Sequence, residues 1–137
     1  MKNNDQGFTL VEIMLVVVII GALAAMIMPR LSGRSEQALI AVAKADIQTN
    51  IATALKLYEL DNGSFPTTSQ GLRALREKSS LAPVPRNWQG PYLEKDPLDP
   101  WNNAYVYQAP GAHRTDYDLF SKGKDADAEA DDITNWK

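Results

Sequence analysis

The sequence contains no cysteine and only one histidine among its 137 residues. Without cysteine, no disulfide can stabilise the fold and no thiol is available for chemistry. The formal net charge of −3 shows no basic excess of the kind that a nucleic-acid-binding surface needs. No serine or cysteine stands beside His113 in a recognised catalytic motif, so we predict a solvated loop histidine. These absences argue against an enzyme and against a nucleic-acid-binding protein.

The sequence does contain one long apolar segment near its start. Residues 8–28 carry a single charge, at Glu12, and a helix rising about 1.5 Å per residue over this length crosses a hydrocarbon core of about 30 Å. A carboxylate inside such a segment is costly and marks a functional site. The alternative is a secretory signal peptide, whose apolar region is short and ends at a cleavage site. Here the polar leader precedes the apolar run and helical patterning follows it, which favours a span.

The residues after Pro29 are typical of a long amphipathic helix that ends near Leu60. Its apolar residues recur at spacings of three and four, and so share one helical face: Ile40, Ala43, Ile47, Ile51, Leu55 and Tyr58. The sequence Asp61-Asn62-Gly63 is a stop signal. Because proline has no backbone N–H, we expect a kink or local melting between Gly21 and Pro29.

The second half of the sequence alternates between irregular and extended segments. A capping-box pattern at Thr67 and Gln70 predicts a short helix to about Lys78. Five prolines between residues 83 and 100 then exclude regular structure. Period-two alternation predicts a hairpin from residues 104–108 and 117–121, with a third short strand within 133–136. We therefore predict an α+β fold in which a long N-terminal helix packs on a small antiparallel sheet of two to three strands.

An acidic run with five carboxylates and no basic residue extends from Asp125 to Asp132. A solvated acidic loop is the usual meaning of such a run. Calcium binding is the alternative, because Ca²⁺ takes about six to eight oxygen ligands in flexible geometry. An EF-hand is excluded, since the glycine and the glutamate that its loop requires are absent.

The junction Gly7-Phe8-Thr9-Leu10-Val11-Glu12-Ile13 resembles the processing site of type IV pilins and type II secretion pseudopilins. The resemblance implies that a prepilin peptidase cleaves after Gly7 and methylates the new amino terminus at Phe8. Glu12 and Pro29 stand where such subunits carry these residues, and the Glu12 carboxylate is expected to pair with the Phe8 ammonium of a neighbouring subunit. The resemblance also implies three parts: a leader at 1–7, a transmembrane and filament-core helix at 8–28, and a periplasmic domain at 29–137.

Further segments are similar to the G-type, or major, pseudopilin of type II secretion: Phe65-Pro66-Thr67-Thr68, Gln70-Gly71-Leu72, Gly90-Pro91-Tyr92-Leu93 and the residues from Asp96 to Trp101. In that family, charged residues at positions matching Lys56 and Glu94 face neighbouring subunits. The resemblance therefore implies a salt bridge between Lys56 of one protomer and Glu94 of another.

The resemblance also implies a calcium site in the acidic run. In the family, the loop between Asp-Leu-Phe-Ser and Asp-Ile-x-Asn-Trp binds Ca²⁺, and residues 118–121 and 132–136 match these flanks. The implied ligands are the side chains of Asp125, Asp131 and Asp132, together with the Lys122 carbonyl and an oxygen of Asp127.

The function that the resemblance implies is structural and non-enzymatic. The subunit would cross the inner membrane once, in contact with lipid, and place its C-terminal domain in the periplasm. It would assemble with minor pseudopilins, on an inner-membrane platform, into a short homo-oligomeric helical filament that helps push folded exoproteins through the outer membrane. Two alternatives stay open: a type IV pilus subunit for adhesion or motility, and a membrane-anchored calcium-binding periplasmic protein that never polymerises.

Overall fold

The structure, a computed structural model, describes residues 8–125, 127 and 131–137, with the backbone alone for 27–32. The chain divides into two compact units, Met1–Gln37 and Ala38–Lys137. The leader predicted at residues 1–7, including Gly7 of the cleavage junction, lies outside the described residues.

Helix α1 covers Leu10–Ala45, and a capping box holds its first turn. The Thr9 N–H donates to Glu12 Oε2 at 3.4 Å, and the Glu12 N–H donates to Thr9 Oγ1 at 3.2 Å. We expected a kink or local melting between Gly21 and Pro29. The helix continues through Pro29 without a break, so local melting does not occur, and the kink stays a prediction. A proline removes one hydrogen bond from the ladder, and the bonds of the flanking turns maintain a long helix across that gap.

Within the first unit, the apolar side chains of α1 are exposed in the single chain. The exposed fraction is 77% for Leu10, 66% for Val18 and 76% for Met26. Among the described residues, we find no helix with both the length and the apolar character that crossing a membrane requires.

The core of the second unit contains the predicted apolar helical face. Its members are at most 2% exposed, and they are Ala43, Ile47, Ile51, Leu55 and Tyr58, with Ile40 packed partly buried against them. From the C-terminal half, the core receives Tyr105, Tyr107, Tyr117, Leu119 and Ile133. The predicted helical face is therefore confirmed.

A π-helical turn, Asp46–Asn50, separates α1 from helix α2, which covers Ile51–Asn62. The sequence did not predict this turn. Asp46 Oδ1 accepts the Asn50 side-chain N–H at 2.7 Å, and Asp46 Oδ2 accepts the Tyr105 hydroxyl at 3.0 Å. Helix α2 ends as predicted at Gly63, whose φ of +81° places it in the left-handed region that favours glycine.

The segment after α2 is less helical than predicted. The capping box forms, with the Thr67 N–H donating to Gln70 Oε1 at 2.9 Å. A 3₁₀ turn over Leu72–Leu75 follows, and the helix does not continue to Lys78. The Leu75 carbonyl instead accepts a backbone N–H from the proline-rich loop at 2.7 Å, so it cannot serve as an acceptor for a further helical turn.

The sheet has three antiparallel strands in the order β1-β2-β3, which confirms the predicted α+β fold. Strand β1 covers Val106–Gln108, β2 covers Asp118–Ser121 and β3 covers Ile133–Thr134. Val106 pairs with Phe120 across the β1–β2 ladder, and Ser121 pairs with Ile133 across the β2–β3 ladder. The acidic run therefore lies in the connection between β2, which ends at Ser121, and β3, which begins at Ile133.

Candidate assembly and calcium sites

Glu12 lies in the first turn of α1, where the carboxylate accepts the Thr9 N–H at the long distance of 3.4 Å. A carboxylate has about four lone-pair positions, so this bond leaves capacity for a further donor. Phe8, the predicted new amino terminus, is 80% exposed. The Phe8 ammonium that is the predicted partner belongs to another molecule, and the pairing stays a prediction. The side chain of Pro29 is outside the description.

Lys56 and Glu94, the predicted charges between protomers, are both exposed in the single chain. Lys56 Nζ lies 2.6 Å from Glu59 Oε2, one turn along α2, and 5.9 Å from the centroid of the Phe65 ring. Lys56 therefore has a partner within its own protomer that competes with any partner in a neighbour. The salt bridge between protomers is untested by a single chain and stays a prediction.

Two carboxylates of the acidic run, those of Asp125 and Asp131, accept hydrogen bonds from its own backbone. The Asp127 N–H donates to Asp125 Oδ1 at 3.2 Å, and the Asp125 N–H donates to Asp131 Oδ2 at 3.3 Å. At Gly123, whose φ is +68°, a Cβ would lie 2.9 Å from the Asp131 carbonyl oxygen and 3.1 Å from Asp131 Oδ2. The two ends of the run, at Asp125 and Asp131, therefore lie close together. Asp131 also lies close to Gly123, where a side chain would not fit.

The donor set of this loop fits calcium in its chemistry, because all five predicted ligands present carboxylate or carbonyl oxygen. Asp132 and Asp127 line a cavity of about 600 Å³ together with Lys122, and Asp125 and Asp131 are exposed. Within the part of the run that the structure describes, no three acidic side chains converge closely enough to hold a metal ion. The predicted calcium ligands stay a prediction.

A buried carboxylate that the sequence analysis did not single out, Asp118, organises the loop between β1 and β2. It accepts the backbone N–H groups of Ala112, His113 and Arg114 at 2.8, 2.9 and 3.0 Å. Burial by itself would raise the pKa of Asp118, but the hydrogen bonds from His113 and its neighbours outweigh burial and hold that pKa below its ordinary value.

His113 is less free than the solvated loop histidine that we predicted. Its Nδ1 lies 2.9 Å from Asp118 Oδ2, and its ring stacks on Trp136 with centroids 4.2 Å apart and planes within 1°. The side chain is nevertheless 56% exposed. A long-range contact with Trp136, invisible in the local sequence, accounts for the difference.

The low pKa of Asp118 predicts a loss of stability in acid. The folded-state pKa lies below the unfolded value of about 3.9, so the ionised group stabilises the fold above that pH. This contribution is lost as the pH falls through the folded pKa. We expect Asp118→Asn to reduce the free energy of unfolding at pH 7 by about 2 kcal/mol, since its amide NH₂ would face backbone donors, and to matter less at pH 3. Urea titrations at both pH values measure this, with the exposed Asp96→Asn as control, and equal loss at both pH values would contradict it.

Comparison with known proteins places these features in a family. The family model "Type II secretion system (T2SS), protein G" matches residues 30–136, and that of the prokaryotic N-terminal methylation motif matches residues 2–28. The chain is 48% identical to type II secretion system core protein G of Pseudomonas aeruginosa, covering 98% of this chain and 97% of that protein. It is 46% identical to core protein G of Escherichia coli K12, covering 98% and 92%.

A solved structure gives the same result. The chain is similar to the crystal structure of the major pseudopilin from the type 2 secretion system of enterohaemorrhagic Escherichia coli, with a TM-score of 0.68 and 38% identity over 79% of this chain and 95% of that one. The two family models and the structural match together cover almost all of this chain. The chain belongs to the type II secretion system protein G family, the major pseudopilins.

Proposed function

We propose that this chain is the structural, non-enzymatic subunit of a type II secretion pseudopilus. Copies of it polymerise into a short periplasmic filament that helps push folded exoproteins through the outer membrane. Membership in the protein G family supports a role in type II secretion. The observation that supports polymerisation is the exposed apolar surface of α1. This surface includes Leu10, Val11, Val17, Val18, Ile20 and Met26.

This exposed surface requires a partner. Burying apolar surface is worth about 25 cal/mol per Å², and a helix that is apolar on all sides is covered either by lipid or by other helices. Before assembly, residues 8–28 would lie in the inner membrane in contact with lipid, with residues 29–137 in the periplasm. After assembly, the same residues would pack against the α1 helices of other copies. The match to the methylation motif supports this arrangement.

The partners that follow are those of a pseudopilus. A prepilin peptidase would process the chain at Gly7, an inner-membrane platform would add subunits at the base, and minor pseudopilins would join the filament. The folded second unit would belong to the periplasmic part of the subunit. Its work is mechanical, so the buried carboxylates of this unit serve structure and not catalysis.

Calcium is the cofactor that we propose for the acidic loop. Asp125, Asp131 and Asp132 would hold Ca²⁺ with their carboxylates, with the Lys122 carbonyl and an oxygen of Asp127 completing the protein ligands. Clustered carboxylates repel one another, and a divalent cation offsets that repulsion. When bound, the ion would join the two parts of the loop that already meet at Gly123.

Processing gives the first test of this function. Gly7→Val is expected to block cleavage, because the branched side chain occupies the residue after which the peptidase cuts. The wild-type mature chain should begin at a methylated Phe8, and the variant should retain residues 1–7. Intact-mass spectrometry of both membrane-extracted proteins measures this directly. A wild-type amino terminus anywhere else would overturn the processing step and, with it, the role of Phe8.

The Lys56–Glu94 contact gives a second test. Exposed ion pairs are worth only about 0–1 kcal/mol, but each filament repeats the pair at every subunit. Lys56→Glu and Glu94→Lys should each reduce filament yield, and the double exchange should restore part of it. Glu59→Gln is the matched control, because it removes the charge of the partner within the protomer and should leave assembly intact. Quantitative immunoblots of sheared filaments measure yield, and no rescue by the double exchange would mean that the pair does not form.

A further inference from the structure

Two buried side chains form a hydrogen-bonded chain that ends on the backbone of the acidic loop. Ser121 is fully buried at the end of β2, where its hydroxyl donates to Asp99 Oδ2 at 2.6 Å and accepts the Gly123 N–H at 3.0 Å. Asp99 is 4% exposed. Its other oxygen accepts the N–H groups of Trp101 and Asn103 at 3.0 and 2.8 Å. Because the Ser121 hydroxyl donates to Asp99 Oδ2, Asp99 fixes where the single hydroxyl proton of Ser121 points.

The hydrogen bonds from Asp99 through Ser121 to the Gly123 N–H determine the direction of the Lys122 carbonyl. The peptide bond between Lys122 and Gly123 is planar, and the N–H and C=O of a trans peptide point in opposite directions. Because the Gly123 N–H points at Ser121 Oγ, the Lys122 carbonyl points to the opposite side. On the other side of this peptide, Gly123 has a positive φ, and Asp131 lies so close that a side chain at position 123 would not fit.

We propose that Asp99 and Ser121 are positioning residues for calcium: they hold the Lys122 carbonyl in the orientation in which it binds the ion together with Asp125 and Asp131. This inference rests on the calcium part of the proposed function. Neither residue contacts the metal, so neither is a ligand. By linkage, a bond that favours calcium binding is itself favoured when calcium is bound. Calcium in the acidic loop should therefore stabilise the distant turn at Asp99.

A purely structural role is the competing explanation, since a buried hydroxyl bond also supports the fold. Tyr107 supplies a matched control within the same unit. Its buried hydroxyl donates to the Pro66 carbonyl at 2.7 Å, away from the acidic loop. Tyr107→Phe removes one buried hydroxyl bond without touching the Asp99–Ser121 chain.

Calorimetric titration of the detergent-solubilised full chain with CaCl₂ tests the inference. Ser121→Ala should weaken calcium binding about 10- to 100-fold, the usual effect of removing a group that orients a ligand. Asp99→Asn should weaken it less, because the amide still holds the Ser121 oxygen but donates to it, which turns the hydroxyl proton away. Tyr107→Phe should bind calcium as the wild type does.

Amide exchange supplies a readout that a structural role would not change. Calcium should increase the protection of the Asn103 N–H, which donates to Asp99, by more than it increases that of a core amide of the same unit such as Leu55. This excess should appear in the wild type and in Tyr107→Phe but not in Ser121→Ala. Should Ser121→Ala fail to fold, Asp99→Asn carries both measurements. Equal calcium affinity in the wild type and in the folded Asp99 or Ser121 variants would overturn the inference and leave calcium in the proposed function. No binding by the wild type would overturn both.

Discussion

Replacing Glu12 by alanine is expected to give a subunit that is processed and inserted but assembles poorly. In a filament core, the Glu12 carboxylate would lie among apolar helices, where an unpaired charge costs several kcal/mol and a paired one is tolerated. Alanine removes the charge and leaves the Phe8 ammonium of a neighbour without a partner. We expect filament yield to fall at least tenfold, as measured by immunoblots of sheared filaments.

The capping box of α1 requires a control for this result, because Glu12 also accepts the Thr9 N–H within its own chain. Glu12→Gln retains an oxygen that can cap the helix, since glutamine serves at this position of a capping box, but it carries no charge. Poor assembly of both variants identifies the charge as the requirement. Normal filaments from Glu12→Gln would show that capping is the role of Glu12, and normal filaments from Glu12→Ala would remove the residue from assembly altogether.

Calcium is expected to stabilise the second unit of the chain. A ligand that binds only the folded state adds RT ln(1 + [L]/Kd), which is about 2.7 kcal/mol at roughly 100-fold saturation. For a folded unit of this size, that raises the melting temperature by roughly 10 to 20 °C. Differential scanning calorimetry of the full chain in detergent, with CaCl₂ and then with excess chelator, measures the gain and its reversal. Magnesium should substitute poorly, because it prefers tight octahedral geometry and sheds water reluctantly.

The predicted ligands supply variants for the same experiment. Asp125→Ala and Asp132→Ala should each abolish the calcium response, while stability in chelator changes little because carboxylate repulsion is relieved. Glu77→Ala, which removes an exposed carboxylate paired with Arg73, should keep the full response. If both aspartate variants retain the wild-type thermal shift, the acidic segment is a solvated loop and calcium must be withdrawn.

The elements that depend on local periodicity were predictable from the sequence. The apolar face from Ala43 to Tyr58 is buried as expected, and α2 ends at the glycine that can adopt positive φ. The three strands lie within the segments that alternate with period two. In each case, the element forms because of the pattern of a few neighbouring residues, so it can be predicted without knowledge of any distant contact.

The elements that depend on distant partners were not predictable. The π-helical turn is held by a hydroxyl from Tyr105, 59 residues from Asp46. The helix after Thr67 stops where the proline-rich loop occupies the Leu75 carbonyl. Asp99 precedes a proline, which is a turn signal, but its bond to Ser121 appears only once β2 is placed. Buried carboxylates such as this one look like surface residues until the groups that donate to them are known.

Electron microscopy of cells that overproduce this chain together with its secretion system tests the central claim most directly. We expect thin surface or periplasmic filaments that are labelled along their whole length by antibodies against the second unit, and we expect few or none in cells producing Glu12→Ala at the same level. Labelling confined to the membrane, with no filaments at any expression level of the wild-type chain, would contradict polymerisation and would favour a calcium-binding periplasmic protein that never assembles.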